Sequence, residues 1–159
     1  LRVLGIDPGS RVTGYGIVDK AERNLQCIFY QEIKPAKSAG LSSSLLTVYS
    51  GITEAIHQFH PEIMAIEDIF YGKNVQSLIK QGHVRGVAVL AAAQAGLKIY
   101  EYSPLEIKKA VSGYGFADKM QVRVMVKNIL KLVELPPSDA ADALAAAICH
   151  INFLKAGQV

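Results

Sequence analysis

Four acidic residues stand where a fold could gather them into a reactive cluster. Asp7 and Glu67 each close an apolar run, and Asp139 and Asp142 lie three apart at the start of the last helical segment. Carboxylate oxygens are hard donors that suit Mg²⁺ or Mn²⁺, not zinc. Four of them at one point would hold two divalent ions, and such a pair hydrolyses a phosphodiester without a Ser, Cys or His nucleophile. Each acid also has an ordinary reading. Asp7, in the segment DPGS, is a good turn residue. Asp139 and Asp142 in a first helical turn favour the helix dipole by about 0.3 to 1 kcal/mol each. Glu67 fits no such explanation, because it ends the otherwise apolar EIMAIE, where a charge is costly unless paired or metal-bound. Asp68 follows, and strand alternation lets only one of the two face a common site.

The elements that must position these acids are readable from periodicity. Arg2 to Ile6 predicts a short buried strand, DPGSRVTGYG a tight reversal, Thr13 to Asp19 the returning strand and Asn24 to Ile33 a third. Leu41 to Phe59 has helical spacing and stops at Pro61. Glu62 to Glu67 predicts a strand, Asn74 to Ala95 a long helix rich in small residues, and Leu97 to Tyr100 a fifth strand. Short helices over Pro104 to Val111 and Lys119 to Val133 follow, the second with Val122, Val126, Ile129 and Val133 on its core side. Pro136, Pro137 and the N-cap Ser138 then introduce a last helix from Asp139 to about Leu154, whose run AADALAAAI would let it lie close against a sheet. Three strands followed by alternating helices and strands predict an α/β fold with a mixed five-stranded sheet and helices on both faces.

With 159 residues and 50% hydrophobic content, the chain is long enough for one core and short for two, so a single domain over 1–159 is expected. The sequence has no apolar run of about 18 residues and no basic segment leading into an apolar core at its amino terminus, which points to the cytoplasm. Cys27 and Cys149 lie in apolar segments without metal-ligand spacing and are expected as free thiols. The net charge of +3 is unevenly spread. Residues 1 to 72 hold 6 Lys/Arg against 8 Asp/Glu, residues 73 to 131 hold 10 against 3, and the remainder 1 against 3. A basic middle between acidic flanks suits a polyanion bound across an acidic metal site, with nucleic acid the foremost partner.

Several long stretches in order, GIDPGSRVTGYG (5 to 16), FHPEIMAIEDIF (59 to 70), KNVQSLIKQGHVRGVAV (73 to 89), GYGFADKMQV (113 to 122) and DAADALAAAICH (139 to 150), resemble the RuvC family of Holliday junction resolvases. The resemblance runs along essentially the whole chain. It implies a ribonuclease-H-like fold and a metal-binding tetrad of Asp7, Glu67, Asp139 and Asp142. It further implies Mg²⁺-dependent hydrolysis, with two ions per site and Mn²⁺ able to substitute, giving paired symmetric nicks with 5′-phosphate ends in recombination and repair. A homodimer through the helix from Asn74 to Ala95 and a branch-migration motor as partner come with the family. So do roles for Lys119 near the scissile phosphate, for Lys108 at a second basic position, and for Phe70 stacking at the opened junction centre.

The residues themselves add further candidates. Lys119, Arg123, Lys127 and Lys131 recur every four positions and form one basic stripe on a helix; a solvated face explains Lys127 and Lys131 equally well, whereas Lys119 stands beside the glycine loop. Lys73, Lys80 and Arg85 extend the positive charge near Glu67 as expected DNA contacts. Phe70 and Tyr71 stand among basic residues, where aromatics can stack on bases or simply join the core. His57 and His60 lack a third ligand and receive no role. A sugar-kinase-like phosphotransferase would share the opening strand, Asp and Gly, but needs two such halves. The same residues would also serve a silent junction-binding scaffold, which cleavage in Mg²⁺ excludes, or a nuclease for RNA–DNA hybrids, which the choice of substrate separates from a junction nuclease.

Overall fold

The computed structural model describes residues 1–22, 24–69, 74–155 and 157. Five strands, β1 (Arg2–Asp7), β2 (Thr13–Ala21), β3 (Asn24–Ile33), β4 (Ile63–Glu67) and β5 (Lys98–Tyr102), form one sheet in the order β3-β2-β1-β4-β5. The first three make an antiparallel meander, and β4 and β5 join parallel to β1, so the sheet is mixed as expected. The helices are α1 (Leu41–Phe59), α2 (Val75–Gln94), α3 (Pro104–Ser112), α4 (Lys119–Leu130) and α5 (Ser138–Lys155).

Strand alternation divides the core into two layers. Leu4 and Ile6 of β1, Ile17 of β2 and Met64 and Ile66 of β4 point to one face, where Val48, Ile52 and Ile56 of α1 and Val84, Ala88 and Ala92 of α2 cover them. Val3, Val18, Ile63 and Ala65 point to the other, against α5 with α3 and α4 beside it. Helix α5 is the most deeply buried element: Ala140, Ala141 and every residue from Ala143 to Ile151 are fully enclosed. Alanine makes that possible by keeping the helix axis close to the sheet. Glycine completes the fit from below. A Cβ on Gly5 would lie 1.9 Å from the Ala143 carbonyl oxygen, and one on Gly14 would lie 1.9 Å from that of Asp139.

Two boundaries depart from expectation in ways that matter. Strand β5 runs two residues further than its periodicity suggests, because its parallel register with β4 continues to Glu67↔Tyr102 and the Asp68 amide donates to the Tyr102 carbonyl at 2.8 Å. It stops where Ser103 and Glu106 form a capping box that starts α3. Helix α4 ends at Leu130 instead of Val133. Lys131 adopts a left-handed conformation (φ 53°), so Val133 loses the helical phase that would have turned it inward and stands 92% exposed.

Candidate active site

Asp7 and Glu67 reach the same face by parity. Each continues the series (Val3, Gly5, Asp7; Ile63, Ala65, Glu67) that points towards α5, and β1 and β4 are neighbours, so the two carboxylates emerge side by side at the strand ends. Asp68 has the opposite parity. Its carboxylate caps the next amide, accepting from the Ile69 N–H at 2.8 Å. Helix α5 supplies Asp139 and Asp142 from its first turns, one above the other. Opposite them, Asp118 caps α4 in a reciprocal pair with Gln121, fixing the helix start that carries Lys119. The Lys119 ammonium lies 3.3 Å from Asp142 Oδ2. All four acids, Lys119 and Lys108 line one cleft of about 710 Å³, together with Ser10, Ser77 and Gln81; contrary to expectation Asp68 lines it too, because it lies just past the end of β4, where strand alternation no longer directs it to the far face.

The electrostatics of the cleft are those of an anion cluster with too few cations. Asp7, 8% exposed, is pushed well above the usual carboxylate range, first by burial and then by the charges of Glu67, Asp142 and Asp139. Glu67 is raised by burial and by Asp142, although it lies within hydrogen-bonding reach of Asp7. Burial also raises Asp142 against the pull of Lys119, and raises Asp139, where Glu32 adds a like charge. Burial alone would lower Lys119, but the surrounding carboxylates, Asp142 foremost, hold its charge above the ordinary lysine value.

An all-oxygen donor set with unbalanced negative charge fits a hard divalent cation. Among the described residues, no three His, Cys, Asp or Glu side chains stand together as a ready-made cage for a single ion.

The comparisons with known proteins decide the family. The model of the crossover junction endodeoxyribonuclease RuvC matches residues 3–150. The chain belongs to the RuvC family. RuvC of Caldanaerobacter subterraneus subsp. tengcongensis is 48% identical over 153 residues, covering 96% of this chain and 93% of that protein. RuvC of Vibrio parahaemolyticus is 49% identical over the same length, covering 88% of its own. Thermus thermophilus RuvC, solved in complex with a Holliday junction substrate, superposes with a TM-score of 0.92 at 33% identity, over 99% of this chain and 97% of that one. The yeast mitochondrial Holliday junction resolvase Ydc2, at 16% identity and a TM-score of 0.70, shares the fold. The expected fold class and enzyme class, a hydrolase of DNA phosphodiester bonds, are those of RuvC.

The remaining expected site residues fall in several places. Lys108 joins the cleft, whereas Lys80 lines a neighbouring groove. The Arg85 guanidinium is engaged by Glu101 at 2.8 Å and Asp68 at 3.4 Å, and its side chain is only 18% exposed, so it ties α2 to the ends of β4 and β5. The basic stripe on α4 divides. Lys119 faces the cleft, while Arg123 donates from Nε and Nη2 to the Pro136 carbonyl at 3.0 and 2.9 Å and thereby holds the turn before α5. Phe70, Tyr71 and Lys73 lie outside the described residues. One residue was not anticipated. Glu32 of β3, paired with Lys34 at 2.6 Å, accepts from the Asp139 amide at 3.3 Å and so caps the start of α5. Nothing in the local pattern of β3 marks it, since Glu32 meets α5 only through the sheet order.

Proposed function

We propose that this chain resolves four-way DNA junctions by paired nicks, with Asp7, Glu67, Asp139 and Asp142 holding two Mg²⁺ ions. The observation that carries the reading is the meeting of four carboxylates from β1, β4 and α5 with Lys119 and Lys108 in one cleft. When bound, the divalent ions supply activated water and charge neutralisation at the leaving oxygen. The chain's own residues do the rest. Asp7 and Glu67, fixed at strand ends, are the rigid donors, and Asp139 and Asp142 are set by the first turns of α5 under the Glu32 cap. Lys119 faces the scissile phosphate from the capped end of α4, where a fixed positive charge stabilises the phosphorane-like transition state. Lys108 holds the same strand from α3.

Junction selectivity needs two sites related by a two-fold axis, and we assign the dimer face to α2. Val75, Ile79, Gly86 and Leu90 share one side of that helix. The three apolar side chains are 58%, 55% and 52% exposed, and a Cβ on Gly86 would meet nothing within 4 Å. Such a stripe of apolar and small residues suits a helix of a second copy. Phe70 takes the stacking role at the junction centre on the strength of the family resemblance, and a branch-migration motor is the proposed partner on the same ground. The whole chain acts as one domain.

The test is parallel incubation with a synthetic four-way junction, a linear duplex of the same sequence and an RNA–DNA hybrid, each with and without Mg²⁺. Cleavage confined to the junction and to Mg²⁺ supports the reading. Preferential cutting of the hybrid would replace it with a ribonuclease, and junction binding without cutting would make the chain a scaffold.

A further inference from the structure

Beside the catalytic cleft runs a second groove, of about 780 Å³, that the tetrad does not use. Its cationic lining comes from three separate segments: Arg11 from the turn after β1, Lys34 and Lys37 from the loop after β3, and Lys80 from α2. Among the described residues, no carboxylate lines it. Lys34 is paired from outside by Glu32, whereas Arg11, Lys37 and Lys80 make no salt bridge among the described residues. All four are exposed. The concentration is specific to this place. Acids outnumber bases 8 to 6 in the first 72 residues, yet three of those six bases converge here. Like charges gathered from unconnected segments repel one another, and a bound polyanion relieves that repulsion.

The groove is continuous with the cleft, because Ser10 lines both. A strand whose scissile phosphate lies between Asp7 and Lys119 would pass Ser10 on its way into the groove. Apolar lining from Val12 and Leu45 suits the sugar faces of such a strand, with the cations on its phosphates. We propose that this groove binds the phosphodiester backbone of the DNA arm leading away from the scissile phosphate, with Arg11, Lys37 and Lys80 as its phosphate contacts. The inference rests on the junction reading only for the identity of the arm. Its chemistry requires no more than a DNA backbone.

The experiment measures binding of a fluorescent four-way junction in Ca²⁺ across a salt series. It compares wild type with Arg11→Gln/Lys37→Gln, and with Lys20→Gln/Lys98→Gln as a control that removes equal charge from the opposite end of the sheet. Each lost phosphate contact reduces the slope of log affinity against log salt by about 0.9. The groove variant is therefore expected to lose about 1.8 of slope, so that its deficit shrinks about twelvefold between 50 and 200 mM salt. The control should track wild type. Thermal melts of both variants establish that they fold. Neutral methylphosphonate linkages placed along one arm provide the second readout: some should weaken wild type and leave the groove variant unaffected. Equal slopes for wild type and groove variant, or equal losses in groove variant and control, overturn the proposal. A groove effect on junction binding by a protein that cuts no junction in Mg²⁺ keeps the groove and removes the junction reading, whereas an equal groove effect on plain duplex is the result a backbone contact predicts.

Discussion

Gly14→Ala is expected to damage catalysis through a single methyl group. Gly14 pairs with Asp7 across β1 and β2 and lies directly beneath the first residues of α5. An added Cβ would be 1.9 Å from the Asp139 carbonyl oxygen and 2.2 Å from its carbonyl carbon, against at least 3.4 Å for ordinary contact. About 1.5 Å must therefore be found by moving one backbone from another. The element that can lift is the start of α5, which carries Asp139 and, one turn on, Asp142. Overpacking of this kind costs about 1 to 3 kcal/mol, and misplacing a reacting group by about 1 Å costs on the order of 100-fold in rate. The neighbouring Gly16→Ala separates the two effects. Its Cβ would meet Leu144 Cδ2 at 2.5 Å and Cγ at 2.7 Å, so the enclosed Leu144 side chain must repack, a stability cost of about 1 to 3 kcal/mol that falls on a side chain beyond Asp142 and not on the Asp139 backbone. Single-turnover cleavage of a four-way junction, with urea unfolding in parallel, is the assay. Gly14→Ala should fold, bind DNA and cleave at least about 100-fold more slowly, while Gly16→Ala stays within a few-fold of wild type. If both cleave alike, close packing of α5 does not set the geometry of the carboxylates.

Lys119→Gln should lower the single-turnover rate more than junction affinity. Its effect on stability should stay within about 1 kcal/mol, because the Lys119–Asp142 pair is exposed on the lysine side; Lys127→Gln should change only the salt dependence of binding, and equal rate effects of the two would remove Lys119 from the chemistry. His150 is fully buried, with its Nδ1 2.7 Å from the Tyr102 hydroxyl, and burial lowers its pKa from 6.5. The unfolded chain therefore binds a proton that the folded one refuses, and stability should fall as pH drops below about 6.5, by at most about 1.4 kcal/mol per unit. His150→Gln should be flatter across that window in urea titrations, and parallel curves would show that His150 does not titrate on unfolding. Gly86→Leu should preserve the protomer fold while converting linear product to nicked circles on a cruciform plasmid, with a matching shift to monomer by light scattering. Unchanged paired cutting would place the dimer interface elsewhere.

The strand ends and the first turn of α5 were legible because parity and helical spacing are local properties. Asp7 and Glu67 could be assigned to one face from residue numbers alone, once β1 and β4 were taken as neighbours. The alanine run of α5 announced close packing. Its counterpart did not, because Gly5, Gly14 and Gly16 read as turn or strand residues until the helix is laid over them. Arg85 and Arg123 looked like free cations in a basic segment, and their partners Glu101 and the Pro136 carbonyl come from other elements. Glu32 was invisible for the same reason, since it is 107 residues from the amide it caps. Lys131 broke α4 through a left-handed backbone that no periodicity encodes, and Val133 was misplaced with it. Long-range pairing, not local pattern, thus decided which charges remain available to DNA.

If four carboxylates hold the ions that cut the junction while separate cations hold the DNA, binding and nicking must separate. The most direct measurement is junction binding and single-turnover nicking, side by side, for Asp7→Asn, Glu67→Gln, Asp139→Asn and Asp142→Asn in Mg²⁺, with wild type in Ca²⁺ as reference. The expected result is near wild-type affinity for all four with nicking abolished, matching the Ca²⁺ reference, whose looser geometry supports binding but little cleavage. A variant that nicks at close to the wild-type rate in Mg²⁺ would contradict the assignment of that carboxylate, and two such variants would contradict the tetrad itself.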